Sequence, residues 1–358
     1  MDKVIKDGTD MTIGVDLGDK WSRLCVLDDD GEVCEEGRIA TTADAMRKRF
    51  STESPCRIVI EVGTHSPWVQ RLLKELGHEV ITAHTQSVRL IYGGTNKNDR
   101  LDAERLARLA RVDPKLLHPI QHREGSAQAD RAVIRSRHVL VGCRTKLINH
   151  ARGMVKSMGG RLPTCTADCF PKRVREALPK QLKPALRPVL ETIAALTTKI
   201  RRFDRLIEEL ASKRYPETNV LRQVSGVGPV TSLSFVLTVE DPTRFRRSRA
   251  LGAYLGLSPR RSQSGDVDPE LRITKAGDND LRRLLVGSAQ YILGPFGPDT
   301  DLRRWGLALA TRGRKNAKKR AVVAVARKLA VLLHHLWISG EVYEPLRNAK
   351  PEVSTRVA

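Results

Sequence analysis

Met11-Thr12-Ile13-Gly14-Val15-Asp16-Leu17-Gly18-Asp19 decides how this chain is read. Thr12–Leu17 reads as a strand, with Ile13, Val15 and Leu17 on one face and Asp16 on the other. A carboxylate in so apolar a strand is unfavourable unless a cation or a proton offsets it. A second apolar run, Ile58-Val59-Ile60-Glu61, ends in the same way. Asp99 and Asp102 then open a helical stretch, Asp99–Arg111, whose apolar stripe is Ala103, Leu106, Ala107 and Ala110. Asp99 lies one turn before Ala103 and Asp102 adjoins it, so both extend the buried face toward the sheet. Two readings of that pair stand. Acids are favoured at an exposed first helical turn by the helix dipole, or they complete a four-carboxylate set with Asp16 and Glu61. The two strand carboxylates favour the set. Four such oxygens suit Mg2+, which takes carboxylate and phosphate ligands together. An ion held there can polarise a phosphate and lower the pKa of an attacking oxygen.

Outward from this stretch, the pattern alternates. Ser22–Leu27 reads as a second strand, Asp28-Asp29-Asp30-Gly31 as a hairpin turn, and Glu32–Ile39 as a third strand. A helix over Ala43–Phe50, a strand over Ile58–Val62, a helix over Pro67–Leu76 and a strand over Glu79–Ala83 come next. Three consecutive strands and then alternating helices and strands is the order of an RNase H-like sheet, a mixed α/β fold. Gly93-Gly94-Thr95-Asn96 is a flexible approach to the helix that begins at Asp99.

From 125 to 213 the chain reads as helical and strongly charged. Ser126–Met158 carries Val133, Ile134, Leu140, Val141, Leu147 and Ile148 with Arg and Lys between them, and Pro163 and Pro171 break the helical pattern after it. Leu182–Lys213 resumes with Leu186, Leu190, Ile193, Leu196, Ile200, Phe203, Leu206, Ile207 and Leu210. Those gaps of three and four fit a helical hairpin or inter-subunit coiled coil, and equally an ordinary helical bundle.

Beyond 215 the chain reads as a second domain. Leu221 to Pro229 holds Gly226 and Gly228 in the turn of a helix-hairpin-helix, where amides at a helix start can hold a DNA phosphate. A plain packing turn is the other reading. Helices are expected over Ser232–Val239, Ser248–Leu255, Leu281–Leu293 and Lys318–Ile338, with a glycine- and charge-rich loop, Gly256–Asp278, between the second and third. That loop carries Ser262-Gln263-Ser264-Gly265, flanked by Arg260, Arg261, Arg272 and Lys275. Most loop serines are turn residues. Here Gly265 lets backbone approach a phosphate without a side-chain clash, and the four cations can stabilise a pentavalent phosphorus. No histidine lies nearby in sequence as a base, so a nucleophilic Ser264 needs a metal or another domain to activate it. Lys315, Lys318, Lys319 and Arg320 form a basic run, open to phosphates or merely solvated.

Composition narrows the partner. Among 358 residues, 63 Lys and Arg oppose 41 Asp and Glu, a net charge of +22, and a polyanion is the natural counterpart. Aromatic residues are only 4%, so base-stacking platforms are not the main binding mode and backbone contacts take their place. The six cysteines are scattered and no secretory signal is evident, which fits reduced thiols in a cytoplasm. Cys165-x3-Cys169 lacks a second pair at zinc-binding spacing. Arg327, Lys328, His334 and His335 interrupt the apolar stretch Ala321–Ile338, as suits a packed helix better than a membrane span.

Taken together, these motifs resemble the DEDD transposases of bacterial insertion sequences, the Piv-like invertase and transposase family, whose members include bridge-RNA-guided recombinases. The matching residues are Gly14-Val15-Asp16-Leu17-Gly18, Glu61-Val62-Gly63, Lys97-Asn98-Asp99-Arg100-Leu101-Asp102-Ala103 and the block from Gly226 to Leu285. Within that block stand Gly226-Val227-Gly228-Pro229, Phe245, Ala253 to Leu257, Pro259, Ser264-Gly265, Ile273 to Gly277 and Leu281-Arg282.

The resemblance implies a RuvC-like nuclease domain over 11–124 and a helical, coiled-coil connector over 125–214. It implies a mostly helical transposase domain over 215–345, with flexible tails at 1–10 and 346–358. It implies Asp16, Glu61, Asp99 and Asp102 as Mg2+ ligands, Ser264 as the nucleophile in covalent serine–DNA intermediates, and double-stranded donor and target DNA as substrates. A structured bridge RNA that guides target choice is implied too. So is a homo-oligomer, dimer or tetramer, whose subunits share composite sites, acting in the cytoplasm at the nucleoid and not at a membrane. The family often shows Ser-Ser-Gly-Gly where this chain has Ser262-Gln263-Ser264-Gly265-Asp266, which leaves Ser262 as the other choice. The rival expectation is a RuvC-like, metal-dependent, structure-specific endonuclease without covalent serine chemistry.

Overall fold

The computed structural model describes residues 11–84, 99–267, 269, 271–313 and 316–348, with Asp99 described in its backbone alone. The 93–96 approach, Lys97 and Asn98, Lys315 and the tails at 1–10 and 349–358 lie outside the described residues. The chain divides into two compact units, Met1–Gly125 and Ser126–Ala358.

The first unit is a sheet covered by helices on both faces. Its elements are β1 (Thr12–Asp16), β2 (Trp21–Leu27), β3 (Val33–Ala40), α1 (Ala43–Phe50), β4 (Arg57–Glu61), α2 (Ser66–Glu75), β5 (Glu79–Ala83) and α3 (Asp99–Val112). The strand order is β3-β2-β1-β4-β5. β1–β2 and β2–β3 pair antiparallel, whereas β1–β4 and β4–β5 pair parallel. This mixed sheet is consistent with the RNase H-like expectation. Alternation sorts the side chains. Ile13, Val15, Ile58 and Ile60 pack with Met46 and Phe50 of α1 and Val69, Leu72 and Leu73 of α2. On the other face Val59, Ile81 and Ala83 meet Leu106, Leu109 and Ala110 of α3, while Cys25 and Leu27 meet Ala103 and Ala107.

The β2–β3 turn forms as expected. The Asp28 carboxylate accepts from the amides of Asp30 at 3.0 Å and Glu32 at 2.9 Å, and Gly31 supplies φ +86°. Several strand ends differ by a residue from the expectation: β2 starts at Trp21, and β3 and β4 are shifted to Val33–Ala40 and Arg57–Glu61. β1 stops at Asp16, one residue before Leu17, which turns away and packs on the core beyond the strand. β4 stops at Glu61, although the Val62 amide still reaches the Ala83 carbonyl at 3.0 Å.

The second unit is helical. It runs α4 (Gly125–Ser157), α5 (Phe170–Arg175), α6 (Lys183–Lys213), α7 (Thr218–Leu221), α8 (Pro229–Val239), α9 (Ala250–Tyr254), α10 (Asn279–Leu293), α11 (Asp301–Ala310) and α12 (Ala317–Ser339). Ala127 and Ile134 near the start of α4 pack with Ile207 and Ala211 near the end of α6, and Ile148, Ala151 and Val155 pack with Leu186, Leu190 and Ile193 near its start. The two long helices therefore form an antiparallel hairpin within the chain. Leu233 and Leu237 of α8 join its first end. Sequence periodicity missed α5 and α11. Pro171 with its flanking cations in α5, and the charges Asp301, Arg303 and Arg304 at the start of α11, mask a short apolar face, yet Phe170 and Val174 of α5 and Leu302 of α11 are buried. Helix α8 starts at Pro229, not Ser232, because proline is preorganised for the first helical position. Helix α12 is long and apolar enough to cross a membrane. Here its Val325, Ala326, Leu329, Ala330, Leu333 and Leu336 sit in the core with residues of α8 and α10.

Candidate active site

The sheet positions the first two acids. Val15 pairs with Ile60 across the parallel β1–β4 ladder, so Asp16 and Glu61 follow side by side at the carboxyl ends of adjacent strands. Asp16 shares the face of Gly14, and Glu61 shares the face of Val59, so both carboxylates lie on the side covered by α3. Both are half-buried, and among the described residues Glu61 has no ion-pair partner.

Helix α3 approaches that face at Gly14. A Cβ on Gly14 would collide with the Ala103 carbonyl and come within 2.8 Å of the Ala107 amide nitrogen, so only glycine allows this contact. Asp102, next to Ala103, is thereby carried onto the carboxylate face in the first turn of α3. It is half-buried and accepts a hydrogen bond from Arg105 at 3.2 Å. The Asp99 side chain lies outside the described residues. Among the described residues no three His, Cys, Asp or Glu side chains close around one point at metal-binding distance. The donor set nevertheless consists of carboxylate oxygens alone, the chemistry of a hard divalent ion and not of zinc or copper.

The edge carrying Glu61 holds further polar residues that the sequence reading did not select. Trp68 donates its indole N–H to His65 Nδ1 at 3.1 Å, and His65 Nε2 faces the exposed Asp19 carboxylate at 3.8 Å. Buried Ser66 hydrogen-bonds His122 Nε2 at 2.7 Å and the Gly63 amide at 2.9 Å. Burial, then Arg71 and Arg123, hold the His122 pKa below 6.5. The available signal was spacing, since His65 stands four residues after Glu61. Cys56 and His78 mimic a nucleophile–base pair, with Sγ 3.4 Å from Nδ1. Burial pushes that thiol up to about 11, and His78 Nε2 is occupied by the Phe50 carbonyl at 3.0 Å, so the pair is a core hydrogen-bond unit.

In the second unit the serine loop is a narrow ribbon. Its arms are joined by Arg260 N–H to the Arg272 carbonyl at 2.9 Å, Thr274 N–H to Ser258 at 2.9 Å and Lys275 N–H to Gly256 at 3.1 Å. At the tip Ser264 and Val267 exchange backbone hydrogen bonds of 3.1 Å around Gly265-Asp266, and Gly265 takes φ +55°. Glycine at the first central position is what a two-residue II′ hairpin loop requires. Ser262 and Ser264 are both exposed. So are Arg260, Arg261, Arg272 and Lys275, and among the described residues none of these four is in a salt bridge.

The ribbon's base is held firmly. Gly256 and Gly277 both have positive φ, and side chains there would strike the backbone of Ala276 and Tyr254 respectively. The buried Arg282 guanidinium donates to the carbonyls of Leu255 at 3.0 Å and Ala276 at 2.7 Å and to Asn279 at 2.9 Å. Asp278 caps α10 through the Leu281 amide at 2.8 Å while its carboxylate pairs with Arg131 of α4.

The expected phosphate turn sits between α7 and α8. Gly226 has φ +87° and packs so closely on Tyr291 and Ser288 of α10 that a Cβ would clash, while Gly228 caps α8 with open space around it. Lys318, Lys319 and Arg320 are exposed in the first turns of α12.

The sequence of residues 13–159 matches a transposase family model of the DEDD type, named for IS110. Residues 218–300 match the model described as "Transposase IS116/IS110/IS902 family". The transposase for insertion sequence element IS1111A of Coxiella burnetii is 31% identical over 345 residues, 92% of this chain and 90% of that protein. A probable family 20 transposase of Pseudomonas aeruginosa is 29% identical over 308 residues, 84% of this chain and 89% of that protein. The transposase for insertion sequence element IS1328 of Yersinia enterocolitica is 28% identical over 347 residues, 92% of this chain and 98% of that protein. With the mixed sheet, the paired strand-end carboxylates and this end-to-end similarity, the chain belongs to the IS110 family of transposases, enzymes of DNA transposition.

Proposed function

We propose that this transposase cuts and rejoins double-stranded DNA through a phosphoserine intermediate, with Ser264 as nucleophile and Asp16, Glu61, Asp99 and Asp102 as a Mg2+ site. The observation that supports it most is the side-by-side position of Asp16 and Glu61 on the face that α3 covers. A divalent ion bound by these acids would supply charge neutralisation at the phosphate and a lowered pKa for the attacking hydroxyl. The chain's own residues do the rest. The Ser264 hydroxyl gives its proton to solvent as Oγ attacks phosphorus, a serine–phosphate ester forms, and one DNA P–O bond breaks, its oxygen taking a proton from solvent to leave a free DNA hydroxyl. Attack by a hydroxyl of the exchanged strand reverses these bonds and frees the serine. Arg260, Arg261, Arg272 and Lys275 stand along the ribbon to take up charge on the phosphoryl oxygens.

Sequence choice in this reading belongs to a structured RNA. A chain of net charge +22 with few aromatic residues grips backbone well and reads bases poorly. The basic hairpin of α4 and α6 is the surface assigned to that RNA, and the working form is a dimer or tetramer at the nucleoid in the cytoplasm. The experiment is detection of a covalent protein–DNA adduct on denaturing gels. Ser264→Ala should abolish the adduct and Ser262→Ala should keep it, and the reverse pattern would move the nucleophile to Ser262. Cleavage that needs Mg2+ but never yields an adduct would establish the plain RuvC-like nuclease instead.

A further inference from the structure

An open groove of about 560 Å³ runs between the Gly226–Gly228 turn and helix α10. Its floor is bare backbone. Gly228 and Gly287 both line it, and a Cβ built on either would meet nothing within 4 Å. Arg222 and Arg283 stand at its sides. Each guanidinium gives one nitrogen to an acid, Arg222 to Glu208 at 2.7 Å and Arg283 to Asp280 at 3.3 Å, so donors are left over on both. Helix α8 opens into the groove, and among the described residues the amides of Val230 and Thr231 in its first turn have no backbone acceptor.

Two further observations point to a ligand. The Thr231 and Ser288 side chains line the groove on residues only 7% and 5% exposed, and among the described residues neither hydroxyl has a hydrogen-bond partner. The two residues are nine-tenths buried, and their hydroxyls open onto the groove, since among the described residues the fully enclosed side-chain atoms without a partner are His138 Nδ1, Arg144 Nε and Arg152 Nε. Other helical hydroxyls here bond back to the preceding turn, as Ser232 does to Gly228 at 3.1 Å and Thr197 does to Ile193 at 2.9 Å. The groove thus presents amides, hydroxyls and guanidinium groups as donors over a floor without side chains.

We propose that this groove is a track for the sugar–phosphate backbone of duplex DNA, separate from the serine ribbon, with Thr231, Ser288, Arg222 and Arg283 as its phosphate contacts. It rests on the reading of this chain as an enzyme that handles duplex DNA. The donors fit phosphate oxygens and carry no base-reading geometry, so the track holds DNA irrespective of sequence. Its openness suits a continuous polymer, and the glycine floor lets a backbone approach closely.

The test is fluorescence anisotropy of the full chain with a labelled random-sequence DNA duplex over a range of salt concentrations, beside a structured RNA of equal length. Gly287→Leu fills the floor on a helix where leucine is the better helix former, and it should weaken duplex binding about tenfold or more, given several phosphate contacts. Arg283→Gln should reduce the slope of log K against log salt by about 1. Thr231→Val, of equal volume, should weaken binding by about threefold, less than a full hydrogen bond to a charged group. Arg283 is exposed, so its variant keeps the test decisive if Gly287→Leu misfolds. Wild-type affinity and slope in folded variants would overturn the proposal. Loss of RNA binding with duplex binding retained would also overturn it, by giving the groove to RNA. Every measurement is repeated on Ser264→Ala. Equal losses there keep the groove independent of the serine chemistry, whose failure would show only in the adduct assay.

Discussion

Gly14 of β1 and Ala103 of α3 touch backbone to backbone, and that contact seats the start of α3, with Asp102, over the sheet face that carries Asp16 and Glu61. Any larger residue at 14 would push α3 away from the strand that carries Asp16. Gly14→Ala should destabilise the first unit by about 1–3 kcal/mol through overpacking. It should also abolish DNA cleavage, because Asp102 moves with the helix. Urea unfolding followed by circular dichroism measures the first effect. Wild-type stability with full cleavage would contradict the close approach.

Asp102→Asn removes one charge from the carboxylate face and leaves the side chain's volume intact. Cleavage should fall by at least about 100-fold, the scale of lost electrostatic stabilisation, while thermal midpoint and DNA binding hold. Wild-type protein in EDTA should behave the same way, and Mg2+ should restore it. A collapse of folding in Asp102→Asn would show that the carboxylate is structural.

Asp278 caps α10 and holds Arg131 of α4, with side chains 12% and 14% exposed. Asp278→Ala should destabilise the second unit by about 1–3 kcal/mol, since it removes the cap of α10 and one ion-pair partner of a nearly buried guanidinium. Arg131→Met with Asp278→Asn together should recover much of that loss. Adduct formation should slow in Asp278→Ala even below its unfolding temperature, because the base of the serine ribbon loosens. An unchanged adduct rate would separate Arg131 from the ribbon.

The first unit should lose stability in alkali. Burial first, then Glu104 and Glu36, push the Cys25 thiol from 9.0 up to about 11, and burial with Glu53 does the same to Cys56. A folded-state pKa above the unfolded one gives stability that is fully present below pH 9 and is lost as pH rises toward 11. Exposed Cys34, Cys143 and Cys169 should react with a thiol reagent at pH 8, while Cys25 and Cys56 react only on unfolding. Rapid native labelling of Cys25 or Cys56 would refute this.

Site-specific exchange should require RNA. RNase-treated protein should still bind DNA, through its charge, and lose recombination of cognate donor and target. Undiminished exchange without RNA would return sequence choice to protein side chains.

Much of the fold could be read directly. Ile13 and Val15 alternate with Gly14 and Asp16, which marks β1, and the short continuous run Ile58-Val59-Ile60 marks β4 as a strand buried on both faces. The Asp28–Gly31 turn, α1 and β5 were legible for equally local reasons. Helices α5 and α11 were not: α5 has only 6 residues, and α11 opens on Asp301-Leu302-Arg303-Arg304, where charges break up the apolar pattern. Asp16, Glu61 and Asp102 were selectable as acids in apolar settings. Ser66 and His122 were not, because what distinguishes them is each other, 56 positions apart in the chain.

The sequence by itself determined the five strands and most of the helices, the basic charge and the residue types available for phosphate chemistry, because these depend on local pattern and composition. Only the tertiary structure decided which of them meet. The β1–β4 register places Asp16 beside Glu61, the bare Gly14 lets α3 descend onto that face, and Arg131 reaches Asp278 across 147 positions of sequence. Contacts of that range depend on packing between whole elements, and no window of sequence contains both partners.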